Sequence, residues 1–267
     1  MQLRQIFYPF AILSLILFIM SSCQYNEEVP REELTIFAAS SLRETFDDLI
    51  LAFESTTPHT DIQVNYAATS TLRAQVEHGA KADIFASAND KQIAKLSTGG
   101  YTSGNPVAFA QNDLVLVVSK KTPNIDSFTD ILTPGLKIVT ALPEVPIGEY
   151  TLIAIREIDS SGYYGKEFPT NFTQNIVSRE TNVRSMLSRV VLGEVDAAIV
   201  YSTDISKQLD SSVKRIAFPI ELNIKPTYSI VTLEQHDKKK VAGEFIAFLS
   251  SSKGAEILVA NGFRTIK

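Results

Sequence analysis

Hydroxyl side chains follow several short apolar segments of this sequence, at positions where they could hold a small anion. They stand directly after three such segments: Ser40 and Ser41, Thr69 and Ser70, and Tyr201. Main-chain N–H groups are also free where a helix begins, and both kinds of group can donate hydrogen bonds to an oxyanion. Because these groups donate, the ligand they prefer is a fully deprotonated oxyanion with no proton of its own to leave unpaired.

Patterns that would indicate catalysis are weaker. The chain has three histidines, none of them beside a candidate nucleophile: His59, His78 and His236. It has no nucleophile elbow, phosphate loop or dinucleotide fingerprint, and no His or Cys cluster with metal-ligand spacing. The sequence therefore predicts no catalytic residue and no cofactor. The distant alternative is a lipid-anchored serine hydrolase that uses Ser41, which would need a general base.

The segment around Ser41 predicts a strand, a turn of small residues and a helix. Residues 34–39 form an apolar strand, and apolar residues at helical spacing follow over residues 42–53. Ser41 is expected to cap this helix, and Glu44 to complete a capping box. Thr181 is expected to cap a later helix in the same way.

Strand and helix patterns alternate along the rest of the chain, which predicts an α/β fold with mixed, mainly parallel sheets. Two β-forming runs, residues 113–119 and 227–232, are natural crossovers between two lobes. We therefore predict a first lobe from residues 34–112 and 226–267 and a second from residues 113–225. A ligand cleft is expected between them, since open α/β sheets bind ligands beyond the carboxyl ends of their strands.

The first 22 residues predict a signal peptide, because an apolar run that ends at Met20 follows the single charged residue Arg4. Cys23 is the only cysteine of the chain, which excludes an intrachain disulfide. Its position resembles a bacterial lipobox, although Met20 stands where Leu is usual. We therefore expect a lipidated Cys23, a tether over residues 23–33, and a location in the periplasm or on the outer face of the cell membrane. The alternative is a secreted protein with a spare thiol.

The overall charge argues against a nucleic-acid partner. The formal net charge is −5, and hydrophobic residues make up 45% of the chain. An acidic chain with scattered Lys and Arg lacks the basic surface that nucleic-acid binding requires. Any bound anion must therefore be held by local dipoles, such as converging helix N-termini, rather than by the overall field or a cationic side chain.

Six short motifs follow one another along the chain: Phe37-Ala38-Ala39-Ser40-Ser41-Leu42, Ala68-Thr69-Ser70-Thr71-Leu72, Ala82-Asp83-Ile84-Phe85-Ala86-Ser87-Ala88, Val145-Pro146-Ile147-Gly148-Glu149-Tyr150, Asn182-Val183-Arg184 and Ala198-Ile199-Val200-Tyr201-Ser202-Thr203-Asp204. In this order they resemble the motifs of the molybdate-binding proteins of ABC transporters. The resemblance implies a type II periplasmic-binding-protein fold that closes on molybdate or tungstate. It also implies delivery of the anion to a membrane permease and a monomeric protein.

The resemblance implies five ligand-binding residues, which act through hydroxyl or main-chain N–H groups: Ser41, Thr69, Ile147, Val183 and Tyr201. They would contact the oxygens of molybdate, with no direct coordination of the metal atom. Ser40 and Ser70 are possible additional donors, and Ser70 is the main rival of Thr69.

The chain departs from the family pattern at three positions. Thr69 stands where Ser is usual, and Ile147 and Ser40 each replace Ala. The larger side chain of Ile147 borders the expected site. It therefore leaves open a receptor for sulfate or another tetrahedral oxyanion.

Overall fold

The computed structural model describes residues 31–122, 124–218, 222, 224–234 and 239–266. The predicted signal peptide, Cys23 and the tether up to residue 30 lie outside the described residues, as does His236. The first strand begins at Glu32, so the last two residues of the predicted tether belong to a strand. Within the described part of the chain, no helix combines the length and apolar character that a membrane span needs.

The first sheet has six strands in the order β11-β4-β10-β3-β1-β2. Their bounds are β1 Glu32–Ala39, β2 Thr60–Ala67, β3 Ile84–Ser87, β4 Thr102–Gln111, β10 Thr227–Leu233 and β11 Arg264–Thr265. The central strand β1 pairs in parallel with β2 and β3, while β10 runs antiparallel between β3 and β4. The carboxyl ends of β1, β2 and β3 therefore meet at one edge of this sheet.

The second sheet has five strands in the order β7-β6-β8-β5-β9. Their bounds are β5 Leu114–Ser119, β6 Ile138–Ala141, β7 Ile176–Glu180, β8 Ala197–Tyr201 and β9 Val213–Ala217. Strand β6 is parallel to β7 and β8, and β5 is antiparallel to β8 and β9. The α/β class and the two-sheet architecture are thus confirmed.

Eight helices of the described chain pack on these sheets. Their bounds are α1 Arg43–Thr56, α2 Thr69–Glu77, α3 Asp90–Thr98, α4 Pro146–Ser161, α5 Phe168–Gln174, α6 Val183–Leu192, α7 Lys239–Leu249 and α8 Ser252–Ala260. Short 3₁₀ turns at Ser40–Leu42 and Ser202–Asp204 follow β1 and β8 directly. Both turns border the region where the two sheets face each other.

The chain passes from the first sheet to the second at Asn112 and Asp113, and it returns before β10. The N–H of Asn112 donates to the carbonyl of Pro226 at 3.0 Å, so the outgoing and returning segments are hydrogen-bonded to each other. From Glu32 onward the chain forms one compact unit. The division into lobes at residues 112/113 and 225/226 stays a prediction.

Strand β4 and helix α5 are among the elements that the sequence pattern does not predict. Strand β4 contains Gly104 and Pro106, which favour turns, and its pairing with β10 shifts register across this stretch. Helix α5 is short, but Phe168 and Phe172 are both buried and place an apolar face against the core. In both cases tertiary packing outweighs weak local signals.

An aromatic cluster joins the helices to the first sheet. The ring of Phe46 on α1 lies 6.1 Å from that of Phe109 on β4 and 6.0 Å from that of Phe245 on α7. All three side chains are buried. Burial of large aromatic rings contributes much of the stability of such a core.

The change Phe46→Ala is expected to lower the free energy of unfolding by about 3–5 kcal/mol, because it removes buried surface and leaves a cavity. Chemical denaturation of the exported part of the chain measures this loss. Leu51→Ala on the same helix is the matched control: Leu51 is 73% exposed, and its loss is expected to stay within about 0.5 kcal/mol. Equal losses for both variants would show that the aromatic cluster is not a main source of stability.

Candidate functional site

A small cavity lies between the two sheets, beyond the carboxyl ends of β1, β2 and β8. Its volume is about 10 Å³, close to the minimum that a single water molecule needs. Much of its wall comes from small side chains, including Ala39, Ala67, Ala68 and Ala88. The site therefore suits one compact ligand rather than a sugar or a peptide.

The structure brings the five main predicted residues together at this cavity. Ser41, Thr69, Ile147, Val183 and Tyr201 all line it. All five are separated by long stretches of sequence and lie on elements of both sheets, so only the fold brings them together.

The two additional candidates differ. Ser40 also lines the cavity, whereas Ser70 is buried beside it without lining it. The structure therefore places Thr69, rather than its rival Ser70, in the cavity wall.

Three helices begin at the cavity wall. Thr69 is the first residue of α2, Ile147 the second residue of α4, and Val183 the first residue of α6. N–H groups in the first turn of a helix have no acceptor within that helix. Pro146 has no N–H to offer, which leaves Ile147 as the first donor of α4. The aligned peptide dipoles of the three helices add positive potential at the same place.

A glycine allows α4 to begin so close to β6. A Cβ atom on Gly148 would lie 2.1 Å from the carbonyl oxygen of Leu142 and 2.9 Å from that of Ala141. Any other residue would push the start of α4 away from the strand end. Gly148 thus fixes where the N–H of Ile147 lies.

Both predicted helix caps are wrong. Ser41 lies in the 3₁₀ turn before α1, no side chain caps α1, and the Ser41 hydroxyl is hydrogen-bonded to the hydroxyl of Tyr228 at 3.0 Å. The turn directs this side chain into the interior, where it is buried. At α6 the cap is Asn182 rather than Thr181, and its Oδ1 accepts from the N–H of Ser185 at 3.0 Å.

Two hydroxyls at the cavity are buried without a hydrogen-bond partner. Among the described residues, neither Thr69 Oγ1 nor the Tyr201 hydroxyl makes a hydrogen bond. A buried polar group left unpaired costs stability, so proteins rarely keep one without a reason. Burial also raises the pKa of Tyr201 well above its ordinary value, which keeps its hydroxyl protonated and able to donate.

Side chains from the two sheets meet on either side of the cavity. On one side the Nε of Arg184 donates to the carbonyl of Ser40 at 3.2 Å, and its guanidinium pairs with both carboxylate oxygens of Glu44. On the other side Lys91 Nζ lies 2.6 Å from the carboxylate of Glu149. These contacts join α1 and α3 of the first sheet to α6 and α4 of the second.

Arg184 was missed as a site component, since we expected no cationic side chain near the anion. The sequence carried a signal for it, because Arg184 directly follows Val183 in a motif. Burial alone would raise the pKa of Glu44, but hydrogen bonding to Arg184 lowers it below the ordinary value. The pair is therefore ionised, and it brings a guanidinium to the carbonyl of a residue that lines the cavity.

Asp204 is a second residue that sequence reasoning did not single out. It lies in the turn after β8, is 2% exposed, and its Oδ2 accepts from the N–H of Tyr201 at 3.1 Å. Its Oδ1 has no partner among the described residues. Burial raises its pKa to about 7, against the opposing attraction of Arg184.

The surroundings of Ser41 do not resemble a hydrolase site. Its hydroxyl is paired with the hydroxyl of Tyr228 rather than with a histidine or a carboxylate. Among the described residues, no group of three or more His, Cys, Asp or Glu side chains could hold a metal ion. What the arrangement can do chemically is donate hydrogen bonds to one small anion.

The candidate anion site lies where helix N-termini meet, between two sheets that are connected by two segments of the chain. This is the arrangement of a two-lobed solute-binding protein. The comparison with known families agrees. The chain belongs to the family of bacterial extracellular solute-binding proteins, whose model matches residues 34–264.

Two curated relatives align along most of their length. The chain is 32% identical to the molybdate-binding protein ModA of Mycobacterium tuberculosis over 231 residues, which cover 86% of this chain and 84% of the relative. It is 29% identical to YvgL of Bacillus subtilis, described as a putative ABC transporter substrate-binding lipoprotein. That alignment covers 96% of this chain and 97% of the relative.

Solved structures show the same fold. The substrate-binding domain of a putative molybdenum ABC transporter from Clostridium difficile superposes with a TM-score of 0.66 at 25% identity, covering 88% of this chain and 99% of that one. The sulfate-binding protein SubI of Mycobacterium tuberculosis superposes with a TM-score of 0.80 at 18% identity, covering 89% and 88%. The second likeness concerns the fold alone.

Asp204 makes the stability of the protein depend on pH. Its pKa is raised from 3.8 to about 7 on folding, so between these two pH values the folded state holds a proton that the unfolded state has lost. This proton contributes stability that is fully present below the unfolded pKa and is lost as the pH rises through the folded pKa. Asp204→Asn, which keeps an acceptor for the N–H of Tyr201, is expected to gain stability relative to the wild type across this range.

Urea unfolding of both proteins over that pH range measures the effect. Asp159→Asn, which changes an exposed carboxyl on α4, serves as the control for a general change of charge. A difference between Asp204→Asn and the wild type that stays constant with pH would contradict the prediction.

Proposed function

We propose that this chain is an extracytoplasmic receptor that binds molybdate, and also tungstate, and delivers it to an ABC importer. The observation that carries the proposal is the pair of buried, unpartnered hydroxyls of Thr69 and Tyr201 at one small cavity. Ser41 and the N-termini of three helices border the same space. A tetrahedral oxyanion offers acceptors to all of these donors at once.

The donor set selects the protonation state of the ligand. Hydroxyls and N–H groups around an anion donate hydrogen bonds to its oxygens. A proton on one of these ligand oxygens would face donors only and would be left without an acceptor. Molybdate, tungstate and sulfate are all fully deprotonated dianions at neutral pH. Phosphate retains a proton and is expected to bind more weakly.

The identity of the oxyanion rests on the relatives. A protein named as molybdate-binding is 32% identical over most of both chains, whereas the solved sulfate-binding protein is 18% identical. Sulfate is the second candidate, because the larger side chain of Ile147 lines the cavity where the family pattern has Ala. Molybdate and sulfate have the same shape and charge, so cavity size must decide between them.

The remaining parts of the proposal concern location and partners. A lipid anchor at Cys23 is supported by the position of this lone cysteine after the apolar leader and by the description of YvgL as a lipoprotein. A membrane permease is the partner to which a receptor of this kind passes its ligand. We propose that the receptor acts as a monomer and uses no cofactor beyond its ligand.

Thermal unfolding of the exported domain with molybdate, tungstate, sulfate and phosphate tests the proposal. A ligand present at about 100 times its dissociation constant adds roughly 2.7 kcal/mol of stability. We expect the midpoint to rise with molybdate and tungstate and to rise little with phosphate. A rise with sulfate alone would change the ligand, and no rise with any of the four anions would refute the site.

Removing one hydroxyl at a time should weaken molybdate binding without unfolding the protein. Ser41→Ala, Thr69→Val and Tyr201→Phe are each expected to lose about 1–3 kcal/mol of binding free energy, the scale of a hydrogen bond to a charged group. Thr69→Val and Tyr201→Phe also remove unpartnered buried hydroxyls, so the ligand-free proteins should be as stable as the wild type or more so.

Titration calorimetry and unfolding of the ligand-free variants supply the two measurements. Ser70→Ala is the matched control, because Ser70 is buried next to Thr69 but does not line the cavity. Wild-type affinity in Tyr201→Phe or Thr69→Val would remove that residue from the site.

A further inference from the structure

Glu149 lies in the first turn of α4, two positions after Ile147, which lines the cavity. Helix α4 packs on the second sheet, yet the carboxylate of Glu149 contacts the start of α3, which packs on the first. Lys91 Nζ lies 2.6 Å from its Oε1, and Asn89 Nδ2 donates to its Oε2 at 3.2 Å. Both carboxylate oxygens are therefore held by a helix of the opposite sheet.

The start of α3, which holds Glu149, is itself well fixed. Asn89 is 4% exposed, and its Oδ1 caps α3 by accepting from the N–H of Gln92 at 3.2 Å. With its oxygen engaged at the cap, the carboxamide has its NH₂ group left for Glu149. The buried side chain of Gln92 also donates to the carbonyl of Glu144 at 3.2 Å. The start of α3 therefore offers a rigid set of donors to the segment that begins α4.

These contacts depend on the distance between the two sheets. Ala88, beside Asn89, and Ile147, near Glu149, both line the cavity, so the contacts lie directly next to the proposed anion site. An anion bound between donors of both sheets leaves when the sheets move apart. Such a movement separates α3 from α4 and breaks the hydrogen bonds to Glu149.

We propose that Glu149 is a positioning residue that latches the two sheets together around the bound oxyanion and thereby slows its release. The inference rests on the proposed function and deepens it, since it assigns the control of ligand release to one side chain. Arg184 forms a further bridge between the sheets, to Ser40 and Glu44. The two bridges share no residue, so the latch at Glu149 can be tested by itself.

The charge of Glu149 separates this role from a simple electrostatic effect. A carboxylate close to an anion site repels the anion, and in that role alone its neutralisation would strengthen binding and slow release. As a latch, the same carboxylate holds the site closed, and its neutralisation speeds release. The two roles therefore predict changes of opposite sign for one substitution.

Glu149→Gln tests the proposal, because it keeps the size of the side chain and removes its charge. The exported domain is loaded with isotope-labelled molybdate, chased with an excess of unlabelled molybdate and sampled by rapid filtration. We expect the label to leave about fivefold faster than from the wild type, the effect of weakening one ion pair and its accompanying hydrogen bond. The association rate should not fall, because the change favours opening of the site.

Two matched controls belong to the same experiment. Glu144→Gln makes the same charge change just before α4, but the side chain of Glu144 is exposed and its contact with Gln92 uses only the carbonyl. Its release rate should equal that of the wild type or be lower. Lys91→Met should speed release as Glu149→Gln does, whereas Lys95→Met, one turn further along α3, should change it less.

A double variant shows whether the two side chains act through one contact. In Lys91→Met/Glu149→Gln the two accelerations should combine to less than their product, because each single change already breaks the same ion pair. Thermal unfolding of the ligand-free variants shows that they are folded. Should Glu149→Gln not fold, the comparison of Lys91→Met with Lys95→Met decides by the same criterion.

The outcomes distinguish the latch from the proposed function. If the wild type holds molybdate and Glu149→Gln releases it at the wild-type rate or more slowly, the latch is refuted while the receptor function stands. An equal acceleration by Glu144→Gln, or a fully multiplicative effect in the double variant, would also refute it. If the wild type retains no molybdate, the proposed function fails, and the latch fails with it.

Discussion

The site depends on one constraint: hydrogen-bond donors from both sheets converge on a small cavity, and two of their hydroxyls have no acceptor among the described residues. Thr69 and Tyr201 keep buried hydroxyls unpaired among the described residues, and three helices begin at the same wall. Such an arrangement costs stability in the ligand-free protein. An oxyanion that binds there would give these hydroxyls their missing acceptors. The stability that the ligand-free protein gives up would then add to the affinity for this class of ligand.

The architecture holds this unfavourable arrangement in place. The donors lie at strand ends of two separate sheets, and Gly148 lets α4 approach β6 closely enough for the N–H of Ile147 to reach the cavity wall. Arg184 then ties the two sides together through Ser40 and Glu44. Asn112, at the crossing between the sheets, accepts from the hydroxyl of Ser202 and donates to that of Thr203, both in the turn after β8. Any hinge motion of the two sheets must therefore change the site as well.

Local sequence rules predicted the fold class and the strand-turn-helix junctions from which the cavity residues come, because strand ends and helix starts leave strong signals. They failed where a residue serves a distant partner. Ser41 has the sequence of a helix cap but pairs with Tyr228, 187 positions away. Glu44 pairs with Arg184, 140 positions away. The raised pKa of Asp204 depends on burial, which only the assembled fold determines.

The central claim is that a tetrahedral oxyanion occupies the cavity between Ser41, Thr69, Ile147, Val183 and Tyr201. Anomalous X-ray diffraction at the tungsten edge, from crystals of the exported domain grown with tungstate, tests it most directly. The account predicts a single strong tungsten peak inside this cavity, with its oxygens at hydrogen-bond distance from the five residues. A peak elsewhere on the protein, or an occupied surface site with the cavity empty, would contradict it.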